Sequence, residues 1–144
     1  MKIDYVVLNK RTVSIDSKAQ IGKNVIIYEN NRIDGNCVIE DNVTLFPNCF
    51  ISDSIIGKGA KIYTSVIEKS EVGACSSIGP FSHLKSSKLE PHTKVGAFCS
   101  LRGFCADKTL TIEPFTDFQE NVKLKKKTID KKQREVNVKS VKRQ

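Results

Sequence analysis

Imidazole is the side chain best suited to proton transfer near neutral pH, and this chain of 144 residues has two, His83 in "PFSHLK" and His92 in "EPHTK". Any general acid–base step that relies on imidazole must use one of them. The other reactive set is five cysteines, Cys37, Cys49, Cys75, Cys99 and Cys105. Their number is odd and no CxxC pair occurs, which argues against a disulfide framework and against a zinc knuckle. They read as small core residues, a common role for a free thiol. Metal binding would require Cys37, Cys49 and Cys99 to converge, and their spacing assigns them to different sides or distant turns of the repeat described below, so no metal site is expected.

The net charge of +8 suggests an anionic partner until it is located. Residues 123–144 hold ten basic side chains against Asp130 and Glu135, which accounts for the whole excess and leaves the preceding residues neutral. The basicity therefore belongs to a tail. Clustered Lys and Arg attract nucleic acid or an anionic membrane surface, but this tail has no aromatic residue to stack on bases, and a solubilising or flexible tail is the expected role. The longest aliphatic runs are only a few residues, far short of a membrane span. Lys2, Asp4 and Lys10 surround a short "YVVL" where a secretory apolar region would lie, so a cytoplasmic protein is expected.

Such side chains need positioning elements, and the sequence shows them as a period. Ile15, Ile21, Ile27, Ile33, Ile39, Leu45 and Ile51 fall on every sixth position, a spacing that neither an amphipathic helix nor an alternating strand produces. Asn24, Asn30, Asn36, Asn42 and Asn48 follow three places behind. Asn tolerates the left-handed backbone region, so this column predicts regular corners. Four places behind come Ala19, Val25, Asn31, Cys37, Val43, Cys49 and Ile55, predicted to point inward. Gly22, Gly57, Gly73, Gly79 and Gly96 directly follow an aliphatic position, where a corner or close packing favours no side chain.

One short strand and one corner cannot bury their own apolar face, so such units must stack into a solenoid. Three units make an eighteen-residue coil, and the large residues form internal ladders with strands about 4.8 Å apart. The series continues as Ile56, Ile62, Ile67, Val72, Ile78, Leu84, Leu89, Val95 and Leu101, with steps of five among the sixes, and then through Ala106, Leu110, Ile112, Phe118 and Leu124. The expectation is an all-β, single-stranded parallel β-helix of about seven coils within residues 1–124, and a disordered or weakly helical tail over residues 125–144.

The runs "IIYENNRIDGNCVIEDNVTLFPNCFISDSIIG", "CSSIGPFSHLK" and "KVGAFCSLR" resemble the hexapeptide-repeat, left-handed β-helix proteins. In particular they resemble the carboxy-terminal acetyltransferase half of the bifunctional N-acetylglucosamine-1-phosphate uridyltransferase/glucosamine-1-phosphate acetyltransferases. The likeness spans roughly residues 6–102. It implies a left-handed β-helix and a homotrimer, with acetyl-coenzyme A as acyl donor in an active form. The family's sugar-phosphate contacts include an Arg shortly after "IGPF", matched here by Lys85, and a Lys after "VGxF", matched by Arg102. Both positions keep a positive charge and exchange its carrier, which changes the geometry of a phosphate grip. By the same pattern His83 lies on the sugar side of its coil and is the one candidate for an imidazole catalyst, whereas His92 falls in a corner.

The departure comes after Arg102. The family places a histidine there, within about one coil, as the base that deprotonates the sugar amine, but here the chain reads "GFCADKTLTIEPFTDF", and no histidine follows His92. The family's later coils with their acetyl-coenzyme A slot, and its uridylyltransferase half, also have no match. Three functions are consistent with this pattern. One is an active acyl-CoA-dependent acyltransferase on an amino-sugar phosphate, and the second is a catalytically incomplete relative that retains sugar-phosphate binding or an assembly role. The third is a trimeric scaffold presenting the basic tail to an anionic partner. The second is the expected one, and a separate uridylyltransferase subunit would be the partner of a split enzyme.

Overall fold

Every parallel strand here needs a partner above and below, and the chain supplies one by returning to the same side of a prism once per coil. The computed structural model describes residues 4–120; the expected extension of the repeat to residue 124 and the tail over residues 125–144 lie outside those residues. The strands are two or three residues long and form three parallel sheets. The first side stacks Val6–Val7, Ile26–Ile27, Thr44–Leu45, Lys61–Ile62, Ser77–Ile78, Lys94–Val95 and Thr111–Ile112. The second stacks Ser14–Ile15, Arg32–Asp34, Phe50–Ser52, Val66–Glu68, His83–Lys85, Ser100–Arg102 and Asp117–Gln119. The third stacks Gln20–Ile21, Val38–Ile39, Ile55–Ile56, Glu71–Val72 and Lys88–Leu89, and an isolated bridge joins Lys88 to Cys105. The one helical element among the described residues is a 3-10 turn over Lys10–Thr12, capped by the Asn9 side chain.

The aliphatic series forms the core as expected. From Ile27 to Ile78 its members lie within 2 % of full burial, and Leu84, Leu89, Leu101 and Ile112 are buried as deeply. Each meets its counterpart one coil away, Ile33 with Ile51, Ile51 with Ile67 and Ile67 with Leu84 on the second side.

The mixture of five- and six-residue steps has a backbone cause. At most six-residue steps the third residue after the aliphatic position turns left-handed, as at Asn24, Asn30, Asn42 and Asn48 and later at Cys75, Phe81, His92, Phe98 and Phe115. Where the step is five, the second residue does so, at Asp53, Thr64, Lys69 and Ser86. The shorter corner displaces the inward column by one place. Ser54 is therefore buried and Ile55 is 39 % exposed, contrary to the expectation that Ile55 points inward.

Two further expectations need correction. Asn36 is not the left-handed corner of its unit: Gly35, with φ +74°, closes the turn one residue earlier because it carries no Cβ to clash. Cys75 and Cys105 are exposed, whereas Cys37, Cys49 and Cys99 are buried as expected. Cys75 occupies a left-handed corner position, which faces solvent. The glycines after aliphatic residues do serve close packing. A Cβ on Gly73 would lie 2.4 Å from the Glu90 carbonyl carbon in the next coil.

The small inward column changes chemistry along the axis. Asn31, Cys37 and Cys49 give way to Ser54, Ser65, Ser70, Ser76, Ser82, Ser87 and Thr93, all buried. Their hydroxyls satisfy the corner backbone between coils. The Ser70, Ser87 and Phe104 amides donate in turn to the hydroxyls of Ser54, Ser70 and Ser87, and the Ser82 and Cys99 amides donate to those of Ser65 and Ser82. A buried hydroxyl is tolerated because it bonds in both roles.

Candidate anion site on the second side

Strand alternation places the candidate residues outward. In His83–Lys85 the middle residue Leu84 is fully buried, so His83 and Lys85 project from the outer face of the second side, and Leu101 does the same for Ser100 and Arg102. Lys85 and Arg102 are register partners in adjacent coils. The expected proximity of these two residues is thus present. The same column holds Glu68 below Lys85 and Gln119 above Arg102.

Like charges directly opposite one another on adjacent strands are destabilising. Neither Lys85 nor Arg102 has an ion pair among the described residues. An anion bridging the two would relieve their repulsion, and Arg102 supplies the planar fork that suits phosphate oxygens.

His83 shares this face. Its Nε2 lies 3.3 Å from Glu68 Oε1, with the two side chains 41 % and 30 % exposed. A carboxylate at that distance orients the ring. On its other flank His83 is in register with Ser100, and Ser100 with Asp117. Glu68 was not singled out from sequence, yet it bears the same relation to Ile67 as Lys85 bears to Leu84, which a coil-by-coil alignment would reveal. His92 is not part of the group, since it sits at φ 63° in the corner between the third and first sides.

Two surface grooves among the described residues lie on the third side. One is lined by Glu40, Asp41, Gly22 and Lys58 and the other by Glu40, Glu71, Gly73, Lys88 and Glu90. Their carboxylates oppose a phosphate, so the exposed pair on the second side remains the better anion site. Among the described residues no helix is long and apolar enough to cross a membrane.

A three-sided solenoid of short parallel strands on a five- to six-residue period defines the class: a hexapeptide-repeat protein. The family model described as "GlmU-like, C-terminal hexapeptide" matches residues 47–138, and the chain belongs to that family. Its coil is accordingly the left-handed parallel β-helix. Among curated relatives, the bifunctional protein GlmU of Pelotomaculum thermopropionicum is 35 % identical over 103 residues, covering 71 % of this chain and 22 % of the relative. That of Caldicellulosiruptor saccharolyticus is 41 % identical over 116 residues, covering 76 % and 25 %. That of Clostridium perfringens strain SM101 is 48 % identical over 89 residues, covering 61 % and 20 %. The chain thus spans about a quarter or less of the length of these relatives.

Proposed function

We propose that this chain is a catalytically incomplete GlmU-like module that binds a sugar phosphate on the outer face of its second side. The register pairing of Lys85 with Arg102 is the observation that carries the reading. The phosphate bridges the ammonium and the guanidinium, and the sugar lies across the strip formed by His83, Ser100 and Gln119. Transfer chemistry is lacking because no histidine follows His92, where the family keeps the base for the sugar amine. The module assembles as a cytoplasmic homotrimer, as the family resemblance implies. Calorimetric titration of glucosamine 1-phosphate into the full chain should show binding that weakens with salt and disappears in the Lys85→Ala, Arg102→Ala double variant. Binding unchanged in that variant would place the site elsewhere.

A second reading is favoured by the His83–Glu68 contact. A histidine held by a carboxylate has the make-up of a general base, and His83 could deprotonate an amine on the same face. In that case acetyl-coenzyme A is the cofactor, and a separate uridylyltransferase chain is a natural partner.

A further inference from the structure

The upper groove on the third side is used neither by the core nor by the anion site. Its floor is Gly57 and Gly73, where a Cβ would run into the backbone of the next coil. Around that floor stand Ile55, Glu40, Glu71 and Glu90, with Lys88 as the cation among the described lining residues. Three carboxylates thus face one ammonium. Glu71 and Glu90 enter no ion pair among the described residues, and Ile55 is a large aliphatic residue left partly open to solvent. Glu40 is held over the floor, since its Oε1 accepts the Lys58 amide at 3.0 Å. By contrast, the carboxylates of Asp16, Asp34 and Asp53, on other coils, are already engaged. Asp16 accepts the Lys18 and Gly35 amides, Asp34 pairs with Arg32, and Asp53 accepts the Asn36 amide.

We propose that this groove is the docking site of the chain's own basic segment, residues 125–132, which lies beyond the described residues. The segment reads "KKKTIDKK", five lysines against Asp130 with Ile129 between them. Its charge and its aliphatic residue both match a groove of carboxylates around Ile55. A lysine has an apolar stem and a charged tip; laid over Gly57 and Gly73, it rests the stem on Ile55 and sets the ammonium among Glu40, Glu71 and Glu90. The path of the chain leads there. The Glu120 amide donates to the Arg102 carbonyl at the corner between the second and third sides, so the chain leaves the described coils at the upper end of the third side. Below that corner the Gly103 amide donates to Lys85 and the Ser86 amide to Glu68, which puts Glu120 three coils above Lys69 and the strand leading to Gly73. At roughly 4.8 Å per coil that is a drop of about 14 Å. The five to seven residues from Glu120 to Lys125–Lys127 span up to roughly 17–25 Å when extended, which reaches the groove. The second side offers Lys85 and Arg102 and repels the segment. Docked in the groove, these lysines are withdrawn from anionic surfaces, so the groove sets how strongly the tail binds a polyanion.

Zero-length coupling of the full chain with a water-soluble carbodiimide tests the docking, because it joins a carboxylate to an amine only where the two touch. Digestion and mass spectrometry should find a lysine of residues 125–132 joined to Glu71 or Glu90. When isotope-labelled and unlabelled chains are unfolded, mixed and refolded together before coupling, the joined peptides should be all light or all heavy. Heparin supplies a second readout. The Glu71→Gln, Glu90→Gln variant releases the segment and should bind heparin several-fold more tightly than Asp4→Asn, Glu29→Gln, which removes the same charge elsewhere. Both changes are at outward positions and should leave the β-rich circular dichroism spectrum as it is. The difference should vanish in about 1 M salt, where charges are screened within roughly 3 Å. Absence of the Glu71 and Glu90 couplings, or equal heparin affinity of the two double variants, would overturn the proposal. Joined peptides of mixed mass would overturn it as well, since they would assign the groove to the segment of another copy.

Discussion

At the scale of the residue, burial decides both the chemistry of the thiols and the tolerance of the core. Desolvation pushes the Cys49 thiol up to about 11 and also raises Cys37 and Cys99. A disulfide-exchange reagent near neutral pH should therefore label two of the five cysteines in the folded chain, Cys75 and Cys105, and all five after denaturation. The pH dependence follows from the same cause. The folded chain keeps the Cys49 proton while the unfolded chain releases it near pH 9, so this stabilisation is complete below pH 9 and is lost as pH rises toward 11. The loss is on the order of 2 kcal/mol, and denaturant midpoints measured for wild type and Cys49→Ser should converge over that window. Cys49→Ser should fold, because Ser65 and Ser82 fill the equivalent place in the next coils. In the ladder itself, Ile39→Asp buries a carboxylate without a partner at a cost of several kcal/mol, while Asn42→Gly should be mild because Gly accepts φ 63°. Equal midpoints for those two variants would mean that the register is wrong.

At the scale of the element, the coil is a compromise between corner length and close packing. Gly73→Ala must move the backbone of the next coil, since its Cβ would lie 2.4 Å from Glu90, and overpacking of this kind costs about 1–3 kcal/mol. Lys69→Asn, at φ 46° in a five-residue corner, should hold or raise the melting temperature. A rise with Gly73→Ala or a marked fall with Lys69→Asn would contradict the assigned corners. The six-residue half of this design was legible in the sequence, since Ile21 to Ile51 and four of the five asparagines sit where the period puts them. The five-residue corners were visible only as shortened steps. Which residue turns left-handed depends on backbone closure against the neighbouring coil, and the sequence period does not encode that, so Ile55 and Asn36 were misplaced. The serine ladder escaped notice because serine is ordinarily a surface residue; here the corner amides of the next coil supply its partners.

At the scale of the whole molecule, the solenoid turns residues seventeen apart into neighbours, and this is how Glu68, Lys85 and Arg102 come to share one face. The pairing of Lys85 with Arg102 was legible once the repeat was aligned, whereas Glu68 and the acidic groove were not, because both depend on which outward columns coincide after the corners shorten. A family scaffold that keeps its cations and lacks the matched histidine should bind without turning over, since loss of a general base typically forfeits 10²–10⁴-fold in rate. The most direct measurement is acetyl transfer from radiolabelled acetyl-coenzyme A to glucosamine 1-phosphate by the purified full chain, run beside the His83→Ala variant. The account predicts no product above background from either protein. Turnover by the wild type that vanishes in His83→Ala would contradict it and make His83, held by Glu68, the base of an active acetyltransferase.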